Sequence, residues 1–114
     1  KMLKLRHRTN DEVFLNGSGV DVEIHLVEQT PVDAVVEIMP GDLDVTISLA
    51  GKHGRPDLKP VDGVIQTSLR TNDHLYLGSD VSIRVLSHSE INTTFSYRVP
   101  DSVRIETNRE SRRI

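Results

Sequence analysis

Three segments of this chain occur twice, in the same order. Arg8-Thr9-Asn10-Asp11-Glu12-Val13-Phe14-Leu15 returns as Arg70-Thr71-Asn72-Asp73-His74-Leu75-Tyr76-Leu77. Asp21-Val22-Glu23-Ile24-His25-Leu26-Val27 returns as Asp80-Val81-Ser82-Ile83-Arg84-Val85-Leu86. Val35 to Val45 tracks Phe95 to Ile105, with Pro40 over Pro100, Leu43 over Val103 and Val45 over Ile105. Ordered self-similarity of this kind marks one structural unit used twice. The repeats divide the chain into a first unit (residues 1–49), a linker (50–63) and a second unit (64–114). The linker holds Gly51, Gly54, Gly63, Pro56 and Pro60 and has no hydrophobic period. Its prolines should keep it extended, spanning the domain without packing into it. A unit of ~50 residues buries too little surface to be stable alone, so the two are expected to share one core as a monomeric, single-chain pseudo-dimer.

Each unit is written in strands. The chain has 14 Val, 8 Ile and 8 Thr but only 2 Ala, and branched side chains suit a pleated surface better than a helix. Val20, Val22, Ile24 and Leu26 alternate with Asp21, Glu23 and His25, and Leu43, Val45, Ile47 and Leu49 with Asp44, Thr46 and Ser48. In the second unit Val81, Ile83 and Val85 alternate with Ser82 and Arg84, then Phe95, Tyr97 and Val99 with Ser96 and Arg98. Period-two alternation buries one face of each strand and wets the other, so the fold class is all-β. Thr-Asn-Asp, twice, is a turn signal, because Asn and Asp side chains hold nearby backbone groups. After the last strand, Thr107 or Asn108 could cap a short helical turn ending in arginines.

Composition removes several functions. With no cysteine, disulfides, zinc–thiolate sites and thiol nucleophiles are excluded. No apolar run approaches the ~20 residues that cross a bilayer, and no secretory h-region opens the chain, so a cytoplasmic protein with no membrane partner is expected. Five histidines lack metal-ligand spacing, and no phosphate loop or dinucleotide fingerprint occurs, so neither enzymatic activity nor a cofactor is expected. Ser87-His88-Ser89-Glu90 strings together a nucleophile, a base and an acid, but a triad is defined in space, and a polar hairpin turn is the simpler reading. Phe14, Tyr76, Phe95 and Tyr97 are assigned to the core rather than to base stacking.

Val64 to Val103, reading V-I-Q-T-S-L-R-T-N-D-H-L-Y-L-G-S-D-V-S-I-R-V-L … F-S-Y-R-V-P-D-S-V, resembles the carbon storage regulator (Csr/Rsm) family of small bacterial RNA-binding proteins. Met2-Leu3-Lys4-Leu5-Arg6-His7-Arg8 resembles that family's N-terminal strand. Asn72-Asp73 stands where the family has Gly-Glu, and Val99-Pro100 where it has Ala-Pro. The resemblance implies two Csr-like β units fused in one chain, forming an intertwined pseudo-dimeric sandwich or barrel. It implies that the first strand of each unit lies beside the last strand of the other, each pair binding a GGA-containing loop of messenger or small RNA to regulate translation. One pairing would set Leu5, Arg6, His7 and Arg8 next to Arg104, Ile105, Glu106, Thr107, Asn108 and Arg109. The other would set Thr67, Ser68, Leu69 and Arg70 next to Asp42, Leu43, Asp44, Val45 and Thr46. The family's arginine after the last strand falls on Thr107 or Arg109 in the second unit, and on Thr46 or Ile47, with no arginine, in the first.

Charge distribution also points to one RNA site. The net charge of −3 argues against nucleic-acid binding through bulk charge, but the charge is unevenly placed. Lys1, Lys4, Arg6 and Arg8 open the chain, Thr9 to Ala50 carries acidic residues and no Lys or Arg, and Arg104, Arg109, Arg112 and Arg113 close it. Lys and Arg contacts to phosphate supply most nucleic-acid affinity. The expected site therefore comprises Leu5, Arg6, His7, Arg8, Arg104, Thr107, Asn108 and Arg109, with Leu5 supporting a base. The alternative is a Csr-like β module that has lost RNA recognition and binds a protein through its acidic face.

Overall fold

The computed structural model describes residues 1–108 and the backbone of residues 112–113. Among them the chain is all-β, as its alternation predicts. The strands are β1 (Met2–His7), β2 (Glu12–Gly17), β3 (Val20–Gln29), β4 (Ala34–Met39), β5 (Val45–Ser48) and β6 (Asp57–Leu58), then β7 (Ile65–Leu69), β8 (His74–Leu77), β9 (Val81–His88), β10 (Thr93–Arg98), β11 (Arg104–Thr107) and β12 (Arg112–Arg113). They form two open antiparallel sheets, so the molecule is a sandwich and not a closed barrel. The larger sheet runs β12-β1-β10-β9-β8-β5-β6 and the smaller β11-β2-β3-β4-β7.

Each sheet takes strands from both halves of the sequence. In the larger, β10, β9 and β8 lie between β1 and β5; in the smaller, β2, β3 and β4 lie between β11 and β7. The orders β1-β10-β9-β8-β5 and β7-β4-β3-β2-β11 correspond strand for strand. The inward residues of both sheets form one core, with Leu15, Val36, Ile38, Val85, Tyr97 and Val103 fully enclosed. The long-range order is thus fixed by apolar burial, the non-directional driving force, acting on strands that cannot satisfy their edges alone.

The two Thr-Asn-Asp turns are built alike. Asn10 and Asn72 adopt left-handed φ values of 77° and 72°, which asparagine tolerates better than most residues. The amides of Asp11 and Asp73 donate to the carbonyls of Arg8 and Arg70, and the Arg8 and Arg70 amides donate back to the aspartate Oδ2 atoms at 2.9 and 2.7 Å. Gly17 meets a different demand: its φ is 138°, and a Cβ there would sit 2.2 Å from the Ser102 carbonyl oxygen. Only glycine lets β2 approach the turn before β11 that closely.

Three expectations need correction. The segments predicted to pair do not: β1 hydrogen-bonds to β10 and β12, while β11 pairs with β2; β7 pairs with β4, and β5 with β8 and β6. The third repeat is displaced by one residue within its strand. Leu5 faces Phe95 where its counterpart Thr67 faces Val36, so Val36, not Val35, corresponds to Phe95, and the extra residue lies in Arg98-Val99-Pro100. The linker is not a bare spacer. Its Asp57–Leu58 pairs with β5, its Pro56 carbonyl accepts from the Ile47 amide, and Leu58 packs on the core. The predicted helical turn falls on residues 109–111, outside the described residues; before them Asn108 lies in a bend, and after them Arg112–Arg113 pair with β1.

Candidate nucleic-acid interface

The predicted site residues divide by strand parity. Leu5 and His7 point inward and are buried, so neither side chain can touch a base, contrary to expectation. Burial costs a charged imidazole its hydration, and His7 is lowered to about 4 by that desolvation, against the opposing pull of Asp11. Its Nε2 lies 2.8 Å from Tyr97 Oη and its Nδ1 3.7 Å from Asp11 Oδ2. Burial also raises the Tyr97 phenol well above its usual value. The protonated phenol therefore donates to Nε2, leaving the ring proton on Nδ1 toward Asp11. This Tyr–His–Asp chain ties β10 to β1 and to the first turn, and it is sealed from solvent.

Arg6 and Arg8 emerge on the outside, Arg6 partly covered. Arg104 is exposed on β11, 3.9 Å from Glu106. Asn108 is committed to the fold: its Oδ1 accepts the Glu12 amide at 2.9 Å, and its Nδ2 donates to Glu12 Oε1 and the Asn10 carbonyl. Thr107 faces Val13 at the end of β11. Arg109 lies outside the described residues. β1, second from the β12 edge of the larger sheet, and β11, an edge of the smaller, lie at the same side of the sandwich, because β1 turns directly into β2, the neighbour of β11, and β12 returns to β1 four residues after β11.

Sequence reading missed the outer face of the larger sheet. One row across it carries Lys4, Ser96, Arg84, His74 and Ser48; the next carries Met2, Arg98, Ser82, Tyr76, Thr46 and, on β6, Asp57, whose carboxylate lies 3.9 Å from Lys59. Arg6 continues the β1 side. The Arg55 guanidinium, from the linker, lies 3.6 Å above the Tyr76 ring and donates to Thr46 Oγ1. Among the described residues no carboxylate forms an ion pair with Lys4, Arg6, Arg55, Arg84 or Arg98. Between these side chains lies a depression of about 490 Å³ lined by Lys4, His74, Tyr76, Arg84 and Arg98, among others.

The outer face of the smaller sheet is the opposite. Glu12, Asp21, Glu23, Glu37 and Glu106 stand on it, with Arg104 at its edge. His25 Nε2 sits 2.9 Å from Glu12 Oε2 and 3.6 Å from Glu23 Oε2. Phe14 and Tyr76 hold corresponding places on the two outer faces, both partly exposed, while Phe95 and Tyr97 are in the core. Assignment of all four aromatics to the core is therefore right for two. The signal lay in parity: Phe14 and Tyr76 each sit between two inward leucines or valines.

The other polar motifs are structural. Ser89 Oγ accepts from the amides of Ile91 and Asn92, making Ser87 to Glu90 part of a tight polar hairpin. His88 Nε2 donates to the Thr30 carbonyl at 2.8 Å, so its Nδ1 accepts from Thr93 Oγ1. Comparisons of this chain with protein families, curated proteins and solved structures found no match.

Proposed function

We propose that the protein is a non-catalytic, RNA-binding regulator of translation, built as a tandem pair of Csr/Rsm-like units, with one competent RNA site. The observation that carries this reading is the separation of charge between the outer faces. Lys4, Arg6, Arg55, Arg84 and Arg98 share one face with no paired acid among the described residues, whereas Glu12, Glu23, Glu37 and Glu106 share the other. RNA would bind the first face and its adjoining margin, where β12 brings the basic end of the chain back to β1, and would be repelled by the second. The interleaving of strands from both halves supports the resemblance, since it is the kind of exchange an intertwined dimer would leave after fusion. The site differs from the one the resemblance implies: arginines outside the sheet, not Leu5 and His7, would make the contacts.

Titration of the full chain with a GGA hairpin RNA and a scrambled control, at two salt concentrations, tests the proposal. The expected result is tighter binding to the GGA loop and a log–log salt slope near −2 to −3, from ~0.7 per single-strand phosphate contact. Arg6→Glu with Arg98→Glu should weaken both RNAs. Equal and weak binding to both would eliminate the regulator. The acidic face favours the second reading, a module that docks a basic protein segment, and saturable binding of such a segment abolished by Glu23→Lys with Glu37→Lys would support it instead.

A further inference from the structure

We propose that the depression on the outer face of the larger sheet is a nucleotide subsite, in which a base stacks on the His74–Tyr76 pair and its phosphate is held by Lys4, Arg84 and Arg98. The inference deepens the RNA-binding reading and rests on it. Four observations carry it.

An aromatic stack is built. His74 and Tyr76 are stacked with centroids 4.4 Å apart and planes 21° from parallel, and Tyr76 Oη lies 3.3 Å from His74 Nδ1. Single-stranded nucleic acid is commonly held on such rings, because every base has a π face.

The position above Tyr76 already holds a flat cation. Arg55 lies over the ring at 3.6 Å, on the exposed linker, and its guanidinium donates to Thr46 Oγ1. A base entering here displaces a guanidinium of similar shape, which then remains beside the strand as a further phosphate contact.

The walls are cationic. Lys4, Arg84 and Arg98 border the depression, and among the described residues Arg84 alone of the three has a side-chain partner, the Asn72 Oδ1 at 3.0 Å. His74 reports the same potential: it is lowered from its ordinary value, first by burial and then by Arg84, Arg55 and Arg98. A neutral imidazole stacks without adding to the repulsion among its neighbours.

The molecule supplies its own comparison. At the places on the smaller sheet that correspond to Tyr76, His74, Arg84, Arg98 and Lys4 stand Phe14, Glu12, His25, Met39 and Gln66. One architecture therefore presents an aromatic ring twice, once among cations and once among carboxylates. Only the first can accept a phosphate.

The experiment compares a single-stranded RNA octamer with an abasic sugar-phosphate strand of equal length, on wild type, Tyr76→Leu and Arg98→Gln, with circular dichroism confirming each fold. The expected result is a roughly tenfold loss of octamer affinity in Tyr76→Leu with no change for the abasic strand, matching the usual size of one base–aromatic stack. Arg98→Gln should weaken both strands and flatten the salt slope by about one contact. Nuclear magnetic resonance of the His74 and Tyr76 rings separates the sources of the nucleotide: shifts with the octamer alone mark a strand, and shifts with adenosine monophosphate as well mark a free nucleotide. Octamer binding at wild-type strength in both variants overturns the subsite and leaves the RNA reading standing. Failure of the wild type to bind any RNA overturns both.

Discussion

His7 shows how one buried side chain couples stability to pH. Unfolded, an imidazole takes up its proton near pH 6.5, whereas in the fold desolvation holds His7 down to about 4 despite the nearby Asp11 carboxylate. Between those values the unfolded chain binds a proton that the folded chain refuses, so stability is fully present above pH 6.5 and falls as pH drops through the window. The loss reaches about 3 kcal/mol, at roughly 1.4 kcal/mol per unit of displacement. Urea midpoints of wild type and His7→Leu, measured from pH 7.5 to 4.5, should converge as the pH falls, because leucine, the residue at the corresponding Leu69, has no proton to bind. Parallel decline of the two curves would show that other groups carry the effect. Tyr97→Phe should cost about 1–2 kcal/mol at pH 7.5, since it leaves the buried Nε2 acceptor without its donor. None of this chemistry was legible in the sequence. His7 falls within a run of basic residues, and only its inward parity, opposite Thr93 on β10, separates it from Arg6 and Arg8.

At the scale of the element, the turns were the most readable feature. Asn72 holds φ at 72°, so Asn72→Gly should leave stability within a few tenths of a kcal/mol, while Asn72→Ala should cost about 1 kcal/mol. Asp73 does more: it is buried, and its two oxygens accept the amides of Arg70 and Ala50 at 2.7 and 2.8 Å. Asp73→Ala would leave both donors unanswered and should cost about 2–3 kcal/mol in chemical denaturation, whereas Asp80→Ala, at an exposed turn, should cost under 0.5 kcal/mol. Strand identity was likewise legible, because alternation is a local property. Pairing was not, because it depends on which edges the shared core leaves open. Nothing in Asp57-Leu58 announces a strand; it forms because β5 would otherwise present bare amides. The one-residue displacement in the third repeat is hidden in the sequence for a related reason. Pro40 and Pro100 align the turns after the strands, while the registers within them differ by the additional Val99.

Over the whole molecule, two faces of opposite charge lie across a sandwich whose smallest extent is 26 Å. Whether RNA bound as proposed to one face would sense the other depends on salt. The screening length is ~30 Å at 0.01 M and ~8 Å at 0.15 M, so neutralising the acidic face with Glu23→Gln and Glu37→Gln should speed RNA association at low salt and leave it unchanged at 0.15 M. Stopped-flow association rates at the two concentrations decide this, and an effect that persisted at 0.15 M would mean RNA touches the acidic face directly. The same interleaving that separates the charges also makes each half dependent on the other. Residues 1–49 alone would bring β1 and β5 without the three strands that lie between them in the larger sheet, and residues 64–114 would leave β7 and β11 equally apart. A protease site placed between Gly51 and Gly54, in an exposed stretch, separates connection from packing. The cut protein should elute as one species at its original size, because the core is unbroken. Its unfolding should become concentration-dependent and, at micromolar protein, weaker by about 4 kcal/mol, the worth of exchanging a millimolar effective concentration for a micromolar real one. If residues 1–49 instead formed a cooperative monomer by themselves, the shared core could not be what holds this chain together.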